Sequence, residues 1–184
     1  MKKLFWLGLF LIVMFGVSIF SSQVVYAGSA LEINASYETT LKNLDRAVPG
    51  AMDSLKKAKG VLVIPGMWKF GIGLGGEYGE GALKMGSKVV DYYSLVGLSL
   101  GWQLGVQKRA IVLAFMDDDV LNKFQSGDGW EFGLDASAAL IKVGVDGRID
   151  TLTHNEPIII FVIDQKGLML NATLEGFKLT KIKK

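Results

Sequence analysis

The chain has 184 residues, half of them hydrophobic, with no cysteine and a formal net charge of +2. Without cysteine it has no disulfides, thiolate metal sites, thiol nucleophile or lipid-bearing lipoprotein cysteine. Once Lys2 and Lys3 are set aside, 18 basic side chains face 18 acidic ones, a neutrality that argues against nucleic acid as a partner.

Lys2 and Lys3 precede an apolar run from Leu4 to Phe20, and Val25 and Ala27 stand at −3 and −1 of a Val-Tyr-Ala site. A positive start, an apolar core and small residues at those positions make a secretion signal over residues 1–27, cleaved before Gly28. The run is slightly long for a signal and slightly short for a spanning helix. The cleavage site favours a signal, with an uncleaved anchor as the alternative. The expected location is therefore exported, periplasmic or envelope-associated, with one domain over 28–184.

Ile33, Tyr37, Leu41, Leu44 and Val48 recur at helical spacing among polar residues, which predicts an amphipathic helix ending near Pro49. Ala51 to Lys59 reads as a second short helix with Met52, Leu55 and Ala58 inside, stopped by Gly60. From Gly60 the period changes from 3.6 to 2. Val61–Ile64 is a short buried strand closed by Pro65. Val96 to Gln107 alternates strictly, with Val96, Leu98, Leu100, Trp102, Leu104 and Val106 on one face and small or amide residues on the other. Trp130 to Leu140 repeats the pattern. Ala110–Met116 and Pro157–Ile163 are apolar throughout and read as central strands. Between them Asp117 is placed to cap a helix carrying Val120, Leu121 and Phe124. Asp164-Gln165-Lys166-Gly167 reads as a hairpin turn, with a further alternating strand from Leu168 to Leu174.

Gly71 to Gly81 literally contains G-x-G-x-x-G, but its glycines alternate as in a strand and no helix pattern follows. A dinucleotide loop needs that helix, whose N-terminus holds the phosphates. Glycines along one strand face instead let a sheet coil sharply or let another element pack on bare backbone. The fold class is then α+β: helices over 30–59 on a strongly curved, mostly antiparallel, Gly-rich sheet over 60–184, a partly closed barrel or sandwich.

Gly60-Val61-x-Val63-x-Pro65 leads into Lys69-x-Gly71-x-Gly73-x-Gly75-Gly76-x-x-Gly79-x-Gly81 and then Gly97-x-Ser99-x-Gly101-x-Gln103-x-Gly105-x-Gln107. With Gly133-x-Asp135-Ala136-Ser137, Lys166-Gly167-Leu168 and Leu174-Glu175-Gly176, these motifs resemble the SYLF domain, also called the Ysc84 actin-binding domain. The resemblance spans Ile33 to Leu179. Ile141-Lys142-Val143 and Asn171 stand where the family usually has glycine or proline, and a basic tail replaces the tyrosine-rich ending. The resemblance implies lipid binding, known in eukaryotic members as phosphoinositide recognition through an N-terminal amphipathic segment. It also implies actin binding in yeast-like members, a role not carried to an exported chain, which does not meet cytosolic actin.

Lys56, Lys57, Lys59 and Lys69 cluster in sequence around Trp68. Lysines beside an indole suit an anionic phospholipid surface, so these five residues are the candidate lipid-binding set. Gln103 and Gln107, on one strand face among glycines, are candidates with Asp135 and Ser137 for a buried polar network. Glu77, Glu80 and Asp135 are the carboxylates a hydrolase would use. Glu77 and Glu80 differ by three along a strand, however, and so face opposite sides. His154 is the single histidine; it suits neither a metal site nor a Ser-His-Asp set. No cofactor and no catalytic residue is expected. The expected function is a non-enzymatic lipid-binding, envelope-associated module. The alternatives are a small outer-membrane β-barrel and a hydrolase using Glu77 or Asp135.

Overall fold

The computed structural model describes residues 28–101, 109–127, 129–132, 139–140, 156–164, 167–168, 174 and 176–184. The expected leader, residues 1–27, lies outside them. Helix α1 spans Ala30–Ala47. Ser29 caps it in a reciprocal capping box: its hydroxyl accepts the Glu32 N–H, and the Glu32 carboxylate accepts the Ser29 N–H. Helix α2 (Ala51–Lys57) follows after Val48, Pro49 and Gly50. Both helices lie where the 3.6-residue period put them.

Among the described residues, nine strands form one sheet. In chain order they are β1 (Gly60–Ile64), β2 (Met67–Met85), β3 (Lys88–Gly101), β4 (Ala110–Phe115), β5 (Trp130–Glu131), β6 (Ala139–Leu140), β7 (Ile158–Asp164), β8 (Gly167–Leu168) and β9 (Lys178–Ile182). Helix α3 (Asp118–Ser126) stands between β4 and β5, with Asp117 accepting the N–H groups of Asp119 and Val120. The sheet runs β5-β9-β3-β2-β1-β4-β7-β6, with β8 paired to β7. The pairs are antiparallel except β6 with β7.

Two features show how strongly the sheet curls. Eight strands laid flat would separate the outer two by about 34 Å. The outer two here are β5 and β6, and the eight residue steps from Glu131 to Ala139 reach at most about 28 Å. The alternation of Trp130–Leu140 suggested one strand; its two described ends instead pair on opposite edges of the sheet. The second feature is β2, whose Met67 and Gly79 would lie about 40 Å apart in a straight strand. A Cβ on Gly79 would instead stand 2.7 Å from the Gly66 carbonyl oxygen. β2 doubles back across the stretch that carries Gly71, Gly73, Gly75 and Gly76.

The curled sheet has a core on each face. On one, α1 and α2 bury Ile33, Tyr37, Leu44 and Leu55 against Val63, Ala82, Val112, Ala114 and Phe161. Tyr37 donates its hydroxyl to the Val61 carbonyl at 3.1 Å, which fixes α1 over β1. The other face holds Leu62, Leu83, Leu95, Leu113 and Ile160 beneath α3. There Tyr93, Phe115, Phe124, Trp130 and Phe132 form a chain of ring contacts with centroids 4.6 to 5.9 Å apart. β4 is wholly buried because both cores cover it, as its unbroken apolar run required.

Alternation in β3 has a sense that composition did not fix. Gly97 faces the α3-side core, where a Cβ would collide with the Phe177 ring, so at this position the small face is the interior one. Val96 and Leu98 turn to the α1 side beyond the helix and are 49 and 78 % exposed. The C-terminal residues, read as a basic tail, form β9 instead: Leu179 is buried, and Tyr92 to Val96 pair with Ile182 to Lys178.

Candidate functional site

The N-terminus of α1, the Pro65-Gly66 bend and the returning arm of β2 enclose an open groove of about 360 Å³. Its apolar wall is Ile33, Met67, Trp68 and the Tyr78 ring; its polar groups include Glu32, Ser36 and Glu80. Each wall is held locally. The capping box fixes Glu32, the Met67 N–H bonds the Arg109 carbonyl at 3.0 Å, and the continuous β2–β3 register fixes Tyr78 opposite Val96 and Glu80 opposite Ser94. Trp68 is 51 % exposed at the rim.

The polar floor is one connected cluster. Tyr78 donates to Glu80 Oε1 at 2.6 Å, and Lys184 Nζ donates to Glu80 Oε2 at 2.7 Å and to the Gly28 carbonyl at 2.8 Å. Burial, and then the hydrogen bond to Glu80, push the Tyr78 phenol up to about 12. The two hydrogen bonds from Ser29 hold the Glu32 carboxyl below the usual carboxylate range. Sequence reading missed Lys184 here, because a lysine at the end of a basic run carries no sign of burial.

Glu77 lies on the other face of β2, as the three-residue spacing required. It pairs with Arg109, both side chains are more than nine-tenths buried, and the guanidinium sits 5.3 Å from the Phe177 ring centroid. Glu77 and Glu80 thus do not converge on a shared substrate position. Asp135, Ser137, Gln103 and Gln107 lie outside the described residues, as does His154.

The lysine set is divided by the sheet. Lys59 donates its N–H to the Phe115 carbonyl at one end of β4, and Met67 bonds Arg109 just beyond the other end. Six residues of extended chain put those two ends roughly 20 Å apart. On the far side from Trp68, Lys56 pairs with Asp53 at 3.0 Å and Lys59 with Asp118 at 2.9 Å, while Lys57 is exposed. Lys69 adjoins Trp68 in β2, and its side chain is not among those described. A cation that sequence spacing did not bring near is Lys178, exposed and paired across the ladder with Val96.

Among the described residues the chain is an α+β domain, a curled sheet packed on both faces with an open groove that has Trp68 at its rim. Residues 96–184 match the model of the Ysc84 family, described as Las17-binding protein actin regulator. Over those residues the chain matches the SYLF, or Ysc84-type, family that its glycine and glutamine ladder resembles. No curated protein matches the chain.

Proposed function

We propose that this chain is an exported, non-enzymatic module that binds phospholipid surfaces at the cell envelope. The observation that carries the reading is the cluster of large apolar side chains left exposed at one end of the sheet. Trp68 stands at the groove rim, and Val96 and Leu98 continue the same face next to Tyr78. An indole at headgroup depth with aliphatic side chains beside it is the composition of an interfacial anchor. Lys178 beside Val96 adds charge that favours anionic lipid, and Lys69 follows Trp68 in the chain. Lys56, Lys57 and Lys59 form a second basic cluster across β1, able to reach only a surface that also meets that side. The family description names an actin regulator; export keeps this chain apart from cytosolic actin.

Flotation of the full chain with vesicles, with and without anionic lipid, tests the reading. Trp68→Ala with Leu98→Ser should weaken flotation about tenfold, two interfacial side chains being worth roughly that much. Lys56, Lys57 and Lys59 changed together to Gln report separately on the second cluster. Retained flotation in the Trp68/Leu98 variant removes this surface from the function.

A further inference from the structure

Gly28 is both the first residue after the expected cleavage site and a wall of the groove. Its carbonyl already accepts from Lys184 Nζ, the same atom that pairs with Glu80. A carbon added to the Gly28 Cα would stand 3.8 Å from Glu80 Oε2 and 3.4 Å from Ile33. The Gly28 nitrogen, two bonds from that carbon, is thus within about 6 Å of the Glu80 carboxylate. In the uncut chain this nitrogen is a neutral amide. Among the described side chains the groove then holds two carboxylates, Glu32 and Glu80, and one cation, Lys184.

We propose that the groove floor is a receiving site for the α-ammonium of Gly28, so that leader removal locks the domain. The inference rests on the export reading for its trigger and on Glu80 for its mechanism. Hydrolysis breaks the Ala27–Gly28 peptide bond. Water supplies the oxygen of the new Ala27 carboxylate, and its protons leave Gly28 as an ammonium and Ala27 ionised. The new cation brings the site to two positive and two negative charges. It reinforces a cluster that already ties α1 to the returning arm of β2 and to the end of β9, holding the groove walls together. An opposite charge at this range favours the charged form of the amine.

The α-amino group of the cut protein should therefore titrate above its ordinary range of about 7.7 to 8.0. A rise of about one unit corresponds to about a tenfold gain in the folding equilibrium. A raised folded-state value sets the sign: the gain is complete below the unfolded value and is lost as pH rises through the folded one.

The test compares two proteins released from the full chain by a site-specific protease, one beginning at Gly28 and one at Ala27, which moves the ammonium by one residue. Denaturant unfolding should show the Gly28 form more stable at neutral pH. The difference should vanish at a pH well above the amine's range, and in the Glu80→Gln background. Equal stability of the two forms, or an equal difference in Glu80→Gln, overturns the lock. Glu32→Gln, which keeps the capping box, should shrink the difference without abolishing it; an unchanged difference removes Glu32 from the mechanism. Sequencing the exported protein is an independent arm. Intact Met1 there overturns processing as the trigger, whatever the unfolding comparison shows of the receiving site.

Discussion

Lys184 Nζ lies 2.7 Å from Glu80 Oε2, joining residues 104 positions apart in sequence with both side chains about nine-tenths buried. Lys184→Met leaves Glu80 buried with Tyr78 as its remaining described partner. Removing one member of a fully buried pair costs about 3–5 kcal/mol, and the open groove reduces that to about 2 kcal/mol. Denaturant unfolding measures the loss, and the double variant with Glu80→Gln should recover most of it. A single variant as stable as wild type would mean the pair contributes nothing.

Arg109 and Glu77 form the deeper pair, with Arg109 Nε lacking a hydrogen-bond partner. Arg109→Met removes the cationic partner of a buried carboxylate, and the expected cost is about 3–5 kcal/mol. Arg109→Met with Glu77→Leu should be closer to wild type than the single variant. The thermal midpoints of the two variants decide it.

Gly97→Val forces a branched side chain into the Phe177 ring, where a Cβ has no room. Overpacking of this kind costs about 3 kcal/mol. Leu98→Ser, one residue on but exposed, should move the midpoint little. Equal effects at the two positions would refute the assignment of faces in β3.

Alkaline titration reads the tyrosines. Burial raises Tyr37 and Tyr93 far above the ordinary range and pushes Tyr78 up to about 12. A phenol whose folded value is raised contributes stability that is complete below its unfolded value of 10 and is lost as pH rises through the folded value. Tyr78→Phe should therefore be less destabilised than wild type between about pH 10 and pH 12. Its phenolate absorbance should also lack one late-titrating group. A wild-type protein whose tyrosines all ionise near the ordinary value would contradict these burials.

Local order was legible along the chain because it is written in short-range pattern. The spacing of Ile33, Tyr37 and Leu44 announced α1, Asp117 announced the start of α3, and the unbroken runs at Ala110 and Ile158 announced strands covered on both faces. Gly167 was assigned to the hairpin and has φ +125°. The family ladder was legible for the same reason, since it is a periodic arrangement of glycines and amides.

What the sequence by itself determined, then, was most of the helix and strand segments, the family resemblance that residues 96–184 match, and the opposed faces of Glu77 and Glu80. Only the tertiary structure decided which face of β3 looks outward, because period two is symmetric between interior and solvent until neighbouring strands and helices cover one side. Only it decided that β2 doubles back, that Trp130 and Leu140 sit on opposite sheet edges, and that Lys178 to Ile182 is a strand. Lys184 joins Glu80, and Lys59 is set far from Trp68, for a common reason. Contacts across 100 residues, and separations across one strand, depend on how the sheet curls, and curvature is a collective property that no local pattern of residues encodes.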